Sequence, residues 1–222
     1  WFQGVDGKWR FEIDDSGATI APDMLERHSA ASVGSTQRRP LNQGLQHDDL
    51  NAAYDLSDTK LDLSRLSRGA LGEYDNTRRT VGMAAADDPE MLRSGTLHET
   101  QHRIQREEGY ASGGSPENML SDELNAVNRR LSEIARQLDE QRFRPRAERE
   151  DAQAQIVALN AEYDDLLTRR SREMGPAAQR EAYRRLAGET EARNVQTRRD
   201  FTPEERRAQP PWTTQDVPDD QQ

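Results

Sequence analysis

The residues best placed to do chemistry are His98-Glu99-Thr100-Gln101-His102, two imidazoles four positions apart with a glutamate directly after the first. On a helix, residues four apart lie on one face, so His98 and His102 can each present a ring nitrogen to one Zn²⁺ at about 2.0–2.1 Å. Glu99 sits about 100° around from His98, close enough to act on a water without ligating the metal. That is the place of a general base. The plain alternative is a polar surface helix carrying two solvated histidines.

The chemistry requires a helix, and the flanks predict one. Asp87-Asp88-Pro89-Glu90 combines an Asp N-cap, Pro at the first helical position and an acid in the first turn, and the helix should run to about Gly109. A zinc site needs a third protein ligand. The chain has 4 His and no Cys, and His28 and His47 fall in a stretch expected to be irregular, which turns attention to carboxylates. Gly188-Glu189-Thr190-Glu191-Ala192-Arg193-Asn194 offers two, Glu189 and Glu191, about 200° apart on a helix, with Gly188 permitting close approach of a neighbour. Glu123, or an Asp at the base of the helical hairpin described next, are further candidates.

The elements around these residues predict an α+β, predominantly helical fold. Trp9, Phe11 and Ile13 alternate with Arg10 and Glu12, the period of a short half-buried strand, whereas Pro22 to Asn51 is Ser, Gly, Gln and Arg rich and reads as irregular. Residues 1–55 are thus expected to form an irregular, mobile segment with one short strand. In residues 56–116, Leu56, Leu61, Leu63 and Leu66 precede a β-hairpin in which Ala70–Tyr74 and Thr80–Met83 flank Asp75–Arg79, and the metal helix follows. Across 117–175, Leu120, Leu124, Val127, Leu131, Ile134 and Leu138 step by 4, 3, 4, 3 and 4. After Pro145, Ile156, Leu159, Tyr163 and Leu166 step by 3, 4 and 3. Such narrow seams predict an antiparallel hairpin with arms of about 27 residues, or about 40 Å. A last helix spans about 176–199 within a segment 176–201, and the Pro- and acid-rich tail 202–222 is expected to be extended.

Composition excludes several functions. The 222 residues carry 31 Lys plus Arg against 41 Asp plus Glu, a net charge of −10, and the arginines are interspersed with glutamates, which disfavours nucleic acid as a partner. Without cysteine there is neither a disulfide nor a thiolate metal site. No run approaches the roughly 20 apolar residues of a membrane span, and no signal-peptide pattern opens the chain, so a cytoplasmic protein is expected. Trp1 in place of an initiating Met points to a piece of a longer polypeptide.

His98-Glu99-Thr100-Gln101-His102 with Glu189-Thr190-Glu191-Ala192-Arg193 downstream resembles the gluzincin class of zinc metallopeptidases. The resemblance implies Glu189 as the third ligand, although Arg193 stands where many members have Asp. A broader likeness runs through Thr96–Pro116, Gly188–Gln196 and Pro210–Pro218. It is similar to the zincin-like domains of large polyvalent proteins from phages and other mobile elements, spans about Leu71 to Gln222, and leaves the first 50 residues out. It implies a small zincin core with a twisted sheet whose edge strand, the 70–83 hairpin, lies beside the metal helix and pairs with an extended peptide. The hairpin of 117–175 would be an insertion, and the setting the host cell cytoplasm.

The expected activity is peptide-bond hydrolysis, with Zn²⁺ on His98, His102 and Glu189, Glu99 as base, and a protein or peptide as substrate. Tyr110, Tyr183 or Arg193 could stabilise the developing oxyanion. The rival reading is a non-enzymatic, zincin-derived scaffold that binds a partner, or itself, through the helical hairpin.

Overall fold

The computed structural model describes residues 2–3, 7, 9–25, 37–63, 71–84, 88–110, 113–116, 119–142, 145, 148 and 152–222. His28, Leu66, Ala70 and Asp87, and the part of the expected irregular stretch at 26–36, lie outside them. The chain divides into two compact units, Trp1–Gly113 with Leu186–Gln222, and Gly114–Arg185.

The first unit is α+β. In chain order it contains β1 (Phe2–Gln3), β2 (Trp9–Arg10), β3 (Thr19–Ile20), β4 (Gln37–Pro40), α1 (Leu41–Gly44), β5 (Leu45–Gln46), α2 (Asp48–Ala53), β6 (Lys60–Leu63), β7 (Gly72–Asp75), β8 (Thr80–Met83) and α3 (Pro89–Glu108). The principal sheet has the order β4-β6-β8-β7. β6 and β8 run parallel, with Leu61 opposite Val81, while β7 closes on β8 as an antiparallel hairpin with Gly72 opposite Met83 and Asp75 opposite Thr80. The hairpin expected around Asp75–Arg79 is therefore present, and β7 is an edge strand.

Leu41, Leu45, Leu56, Leu61, Val81, Leu92 and Leu97 are buried in one core that sits between this sheet and α3. Each fully buried aliphatic side chain stabilises the fold by about 1.5–3 kcal/mol. Asp88 caps α3 by accepting the Glu90 N–H at 2.9 Å, Pro89 occupies its first turn, and Gly109 ends it in the left-handed region at φ 65°.

Three expectations fail in this unit. Residues 37–53 form β4, α1, β5 and α2 where irregular chain was expected, because a few well-spaced leucines, Leu41, Leu45 and Leu50, suffice to seat short elements on the core. The alternation of Trp9, Phe11 and Ile13 does not mark a half-buried strand: among the described residues only Trp9–Arg10 pairs, with Phe2–Gln3, and Trp9 is 66% exposed. The tail is not extended throughout. Thr202 and Glu205 form a reciprocal capping box that starts α8 (Pro203–Ala208), a T-x-x-E signal present in the sequence.

The second unit contains α4 (Ser121–Arg142), α5 (Gln153–Glu173) and α6 (Pro176–Arg184). Arg130 donates to Glu162 at 2.7 and 2.9 Å and Arg170 to Asn128 at 3.2 Å, so partners descend along α5 as they ascend along α4 and the pair is antiparallel. Val127, Leu131 and Met174 are buried along the seam, with Leu124, Tyr163 and Leu166 packed against them. Within the described residues the arms span 22 and 21 residues.

The single helix expected over 176–199 is in fact two. Leu186 adopts φ −60° and ψ 130°, which ends helical geometry, and α7 (Ala187–Arg198) starts afresh with Gly188 in its first turn. Among the described residues no helix is long and apolar enough to cross a membrane.

Candidate metal centre

α3 and α7 lie side by side in opposite directions. Gln105 near the end of α3 bonds the Gly188 carbonyl at the start of α7, and Gln196 near the end of α7 bonds Ser94 near the start of α3. This crossing brings His98 and His102 against Glu189, 87 residues downstream of His102. The two Nε2 atoms are 3.2 Å apart, Glu189 Oε1 is 3.4 Å from His102 Nε2, and Glu189 Oε2 is 3.5 Å from His98 Nε2. A tetrahedral ion with bonds of about 2.0–2.1 Å has ligand–ligand edges of about 3.3–3.4 Å. The three groups thus stand at the spacing a zinc-sized ion requires, and they could hold one.

The hydrogen bonds behind the rings decide which nitrogens face inward. Gln105 Nε2 donates to the Gly188 carbonyl and to Glu191 Oε2, both at 2.8 Å, which fixes its Oε1 toward His102 Nδ1 at 2.9 Å. Gln196 Nε2 donates to the Ser94 carbonyl at 3.2 Å and leaves its Oε1 toward His98 Nδ1, also at 3.2 Å. Each Nδ1 therefore carries the proton, and each Nε2 points a lone pair into the site. Two converging lone pairs and a carboxylate repel one another unless a cation sits among them. Burial opposes charging of both rings. At His98 the hydrogen bond with Glu189 and the charges of Glu99 and Glu189 outweigh it and leave the pKa raised, while at His102 burial prevails and the pKa is lowered.

Glu99 is 8% exposed and faces the hairpin. Burial pushes its carboxyl up to about 7, against the pull of His98 and of a backbone hydrogen bond from Tyr74. Gly72 on β7 lies so close that a Cβ there would come within 2.7 Å of Glu99 Oε1. The edge strand and the candidate base are thus in direct contact.

Gly113 closes the other side. A Cβ at this position would meet Glu189 Oε1 at 2.4 Å and His102 Cε1 at 2.6 Å, so the chain passes over the ligand pair with room for no side chain. Glu191 stands apart from the imidazoles and accepts from Gln105. Arg193, considered as an oxyanion donor, is held bidentately by Asp216 at 2.9 and 3.0 Å. Tyr110 donates its backbone N–H to the Gln105 carbonyl at the end of α3, and Tyr183 and Glu123 belong to the second unit.

Residues 1–21 match the model of a known family, Large polyvalent protein associated domain 23. No curated protein and no solved structure matches the chain. The likeness falls within the N-terminal part that the zincin resemblance left out. In the structure this stretch is stitched into the first unit: Ala18 and Ile20 are buried in its core, Glu12 binds Arg198 and Arg206, and Asp15 accepts from His47. The chain therefore carries a segment similar to one associated with large polyvalent proteins, folded into the same unit as the candidate metal centre.

Sequence reasoning missed Gln105, Gln196, Gly72 and Gly113. Gln105 follows His102 by three positions and Gln196 follows Glu189 by seven, spacings that place each on the face of its ligand. A carboxamide in that place is an unremarkable surface residue until its partners are known. Nothing local marks the glycines.

Proposed function

We propose that the protein is a zinc-dependent peptidase domain of a polyvalent protein encoded by a phage or other mobile element. One observation carries this reading: His98, His102 and Glu189 converge at tetrahedral spacing, with Glu99 buried beside them and against an open sheet edge. The donor set fits zinc, since two imidazole nitrogens and one carboxylate oxygen form a ligand set of catalytic zinc sites that leaves a position for solvent. A bound Zn²⁺ would supply Lewis acidity at a carbonyl oxygen and acidify a water.

The chain's own groups do the rest. Gln105 and Gln196 hold the two rings with their lone pairs inward. Glu99 takes a proton from the attacking water and returns it to the leaving amine, a role suited to a carboxylate that faces the site without ligating. β7, an edge strand among the described residues, offers its outer side to an extended peptide by strand addition, with the Tyr74 N–H on that side bonded to Glu99, and Gly72 leaves no side chain between that strand and Glu99. The polyvalent context rests on the match of residues 1–21.

The test is cleavage of a mixed peptide library by zinc-loaded protein beside Glu99→Gln. Hydrolysis by the wild type, abolished in a variant that still holds zinc, supports the reading. Zinc-loaded wild type that cleaves nothing overturns it in favour of the scaffold reading, which the separate heptad-seamed unit Gly114–Arg185 favours as an interaction arm.

A further inference from the structure

The backbone of β7 faces two ways. Ala84 donates its N–H to the carbonyl of Leu71, just before β7, at 2.9 Å, while Gly72 stands opposite Met83 and Tyr74 opposite Val81. In an antiparallel ladder, residues that exchange hydrogen bonds with the neighbouring strand alternate with residues that do not. Leu71 and Glu73 therefore turn their backbone groups to β8, and the N–H and C=O of Gly72 and Tyr74 point to the outer side. Among the described residues no strand lies there.

One of these outward groups has a partner on α3. Glu99 accepts a hydrogen bond from the backbone N–H of Tyr74. Its side chain lies against Gly72, where a Cβ would come within 2.7 Å of Oε1 and 3.0 Å of Cγ. A buried carboxylate oxygen thus sits on the donor that the carbonyl oxygen of an added strand would take. A charge turned onto an edge strand also keeps stray strands from adding to it.

We propose that Glu99 is latched to β7 in the free protein and that an extended peptide releases it, a carbonyl of the peptide replacing the carboxylate on the Tyr74 N–H. Strand addition then precedes the moment at which Glu99 can act on water. The chains selected are those long enough to pair with Gly72 and Tyr74 together, about four residues or more, since each residue of an added strand lies opposite one of β7. A dipeptide that reaches the imidazoles leaves the latch closed. The bond given up is charge-assisted, and the peptide offsets it with the ladder bonds it makes at both residues. What the released carboxylate does rests on the peptidase reading, whereas the exchange of partners is measured without zinc.

The test uses the full, zinc-free, isotope-labelled chain. The Tyr74 amide should exchange with solvent about tenfold or more slowly in the wild type than in Glu99→Ala, with Glu99→Gln, whose neutral oxygen still accepts, in between. N-acetyl-hexathreonine amide should shift the Gly72 and Tyr74 amide resonances and bind about fivefold or more tightly to Glu99→Ala, where no carboxylate competes. N-acetyl-dithreonine amide should shift neither. Equal Tyr74 exchange in wild type and Glu99→Ala, equal hexapeptide affinity for the two, no hexapeptide binding at millimolar concentration, or a dipeptide that shifts both amides overturns the inference. Cleavage of the mixed library by a protein whose Tyr74 amide is no slower than in Glu99→Ala overturns the latch and spares the peptidase reading. A slow Tyr74 amide released by the hexapeptide, with no cleavage once zinc is loaded, supports the latch and overturns the peptidase reading.

Discussion

Gln105 holds His102 from behind, its amide nitrogen spent on the Gly188 carbonyl and Glu191 so that only its oxygen can face the imidazole. One carboxamide thereby sets the tautomer of a candidate ligand on α3 and fastens α3 to the start of α7, where the candidate third ligand sits one residue beyond Gly188. Ligand orientation and helix docking are the same interaction.

Zinc content should follow the ligand set. After stripping and reconstitution, elemental analysis is expected to find about one zinc per chain in the wild type and none in His102→Ala. Glu189→Ala should lose zinc while Glu191→Ala largely retains it. Equal losses in the two glutamate variants would contradict the choice of ligand.

Gln196→Ala removes the acceptor from His98 Nδ1 and leaves the ligands in place. Zinc affinity, measured by competition with a chromogenic chelator, should fall by roughly 10–100-fold. Unchanged affinity would mean that the ring is oriented by packing alone.

At Gly113 the smallest side chain is already too large. Gly113→Ala should weaken zinc binding by more than about tenfold, because Glu189 is fully buried and has no free direction in which to retreat. Far-UV circular dichroism should be unchanged. Wild-type affinity in a folded Gly113→Ala protein would show that the segment yields at little cost.

Glu12 carries the N-terminal stretch onto buried Arg198 and onto Arg206. Glu12→Ala should destabilise the protein by about 3 kcal/mol in urea denaturation, since it leaves a buried guanidinium short of its counter-charge. Arg207→Ala, in a pair with Glu204 whose side chains are 69% and 76% exposed, should cost about 1 kcal/mol or less. Similar losses from the two would mean that the Arg198 pair is no more valuable than a surface one.

What the sequence determined by itself was local. Asp88, Pro89 and Gly109 write the bounds of α3, the turn residues Asp75–Arg79 write the hairpin, and the spacing of His98 and His102 writes a shared face, because caps, turns and helical periodicity act over a few residues. The heptad seam of α4 and α5 was legible for the same reason. What only the tertiary structure decided was every relation across distance. Spacing alone left Glu189 and Glu191 open, and the docking of α7 on α3 separates them by turning one toward the imidazoles and the other toward Gln105. The break at Leu186, the seating of 37–53 on the core, the roles of Gln105 and Gln196, and the intolerance for a side chain at Gly72 and Gly113 likewise come from close packing between segments far apart in the chain. Such contacts have no sequence period, since the partner that gives each residue its meaning is supplied by another part of the fold.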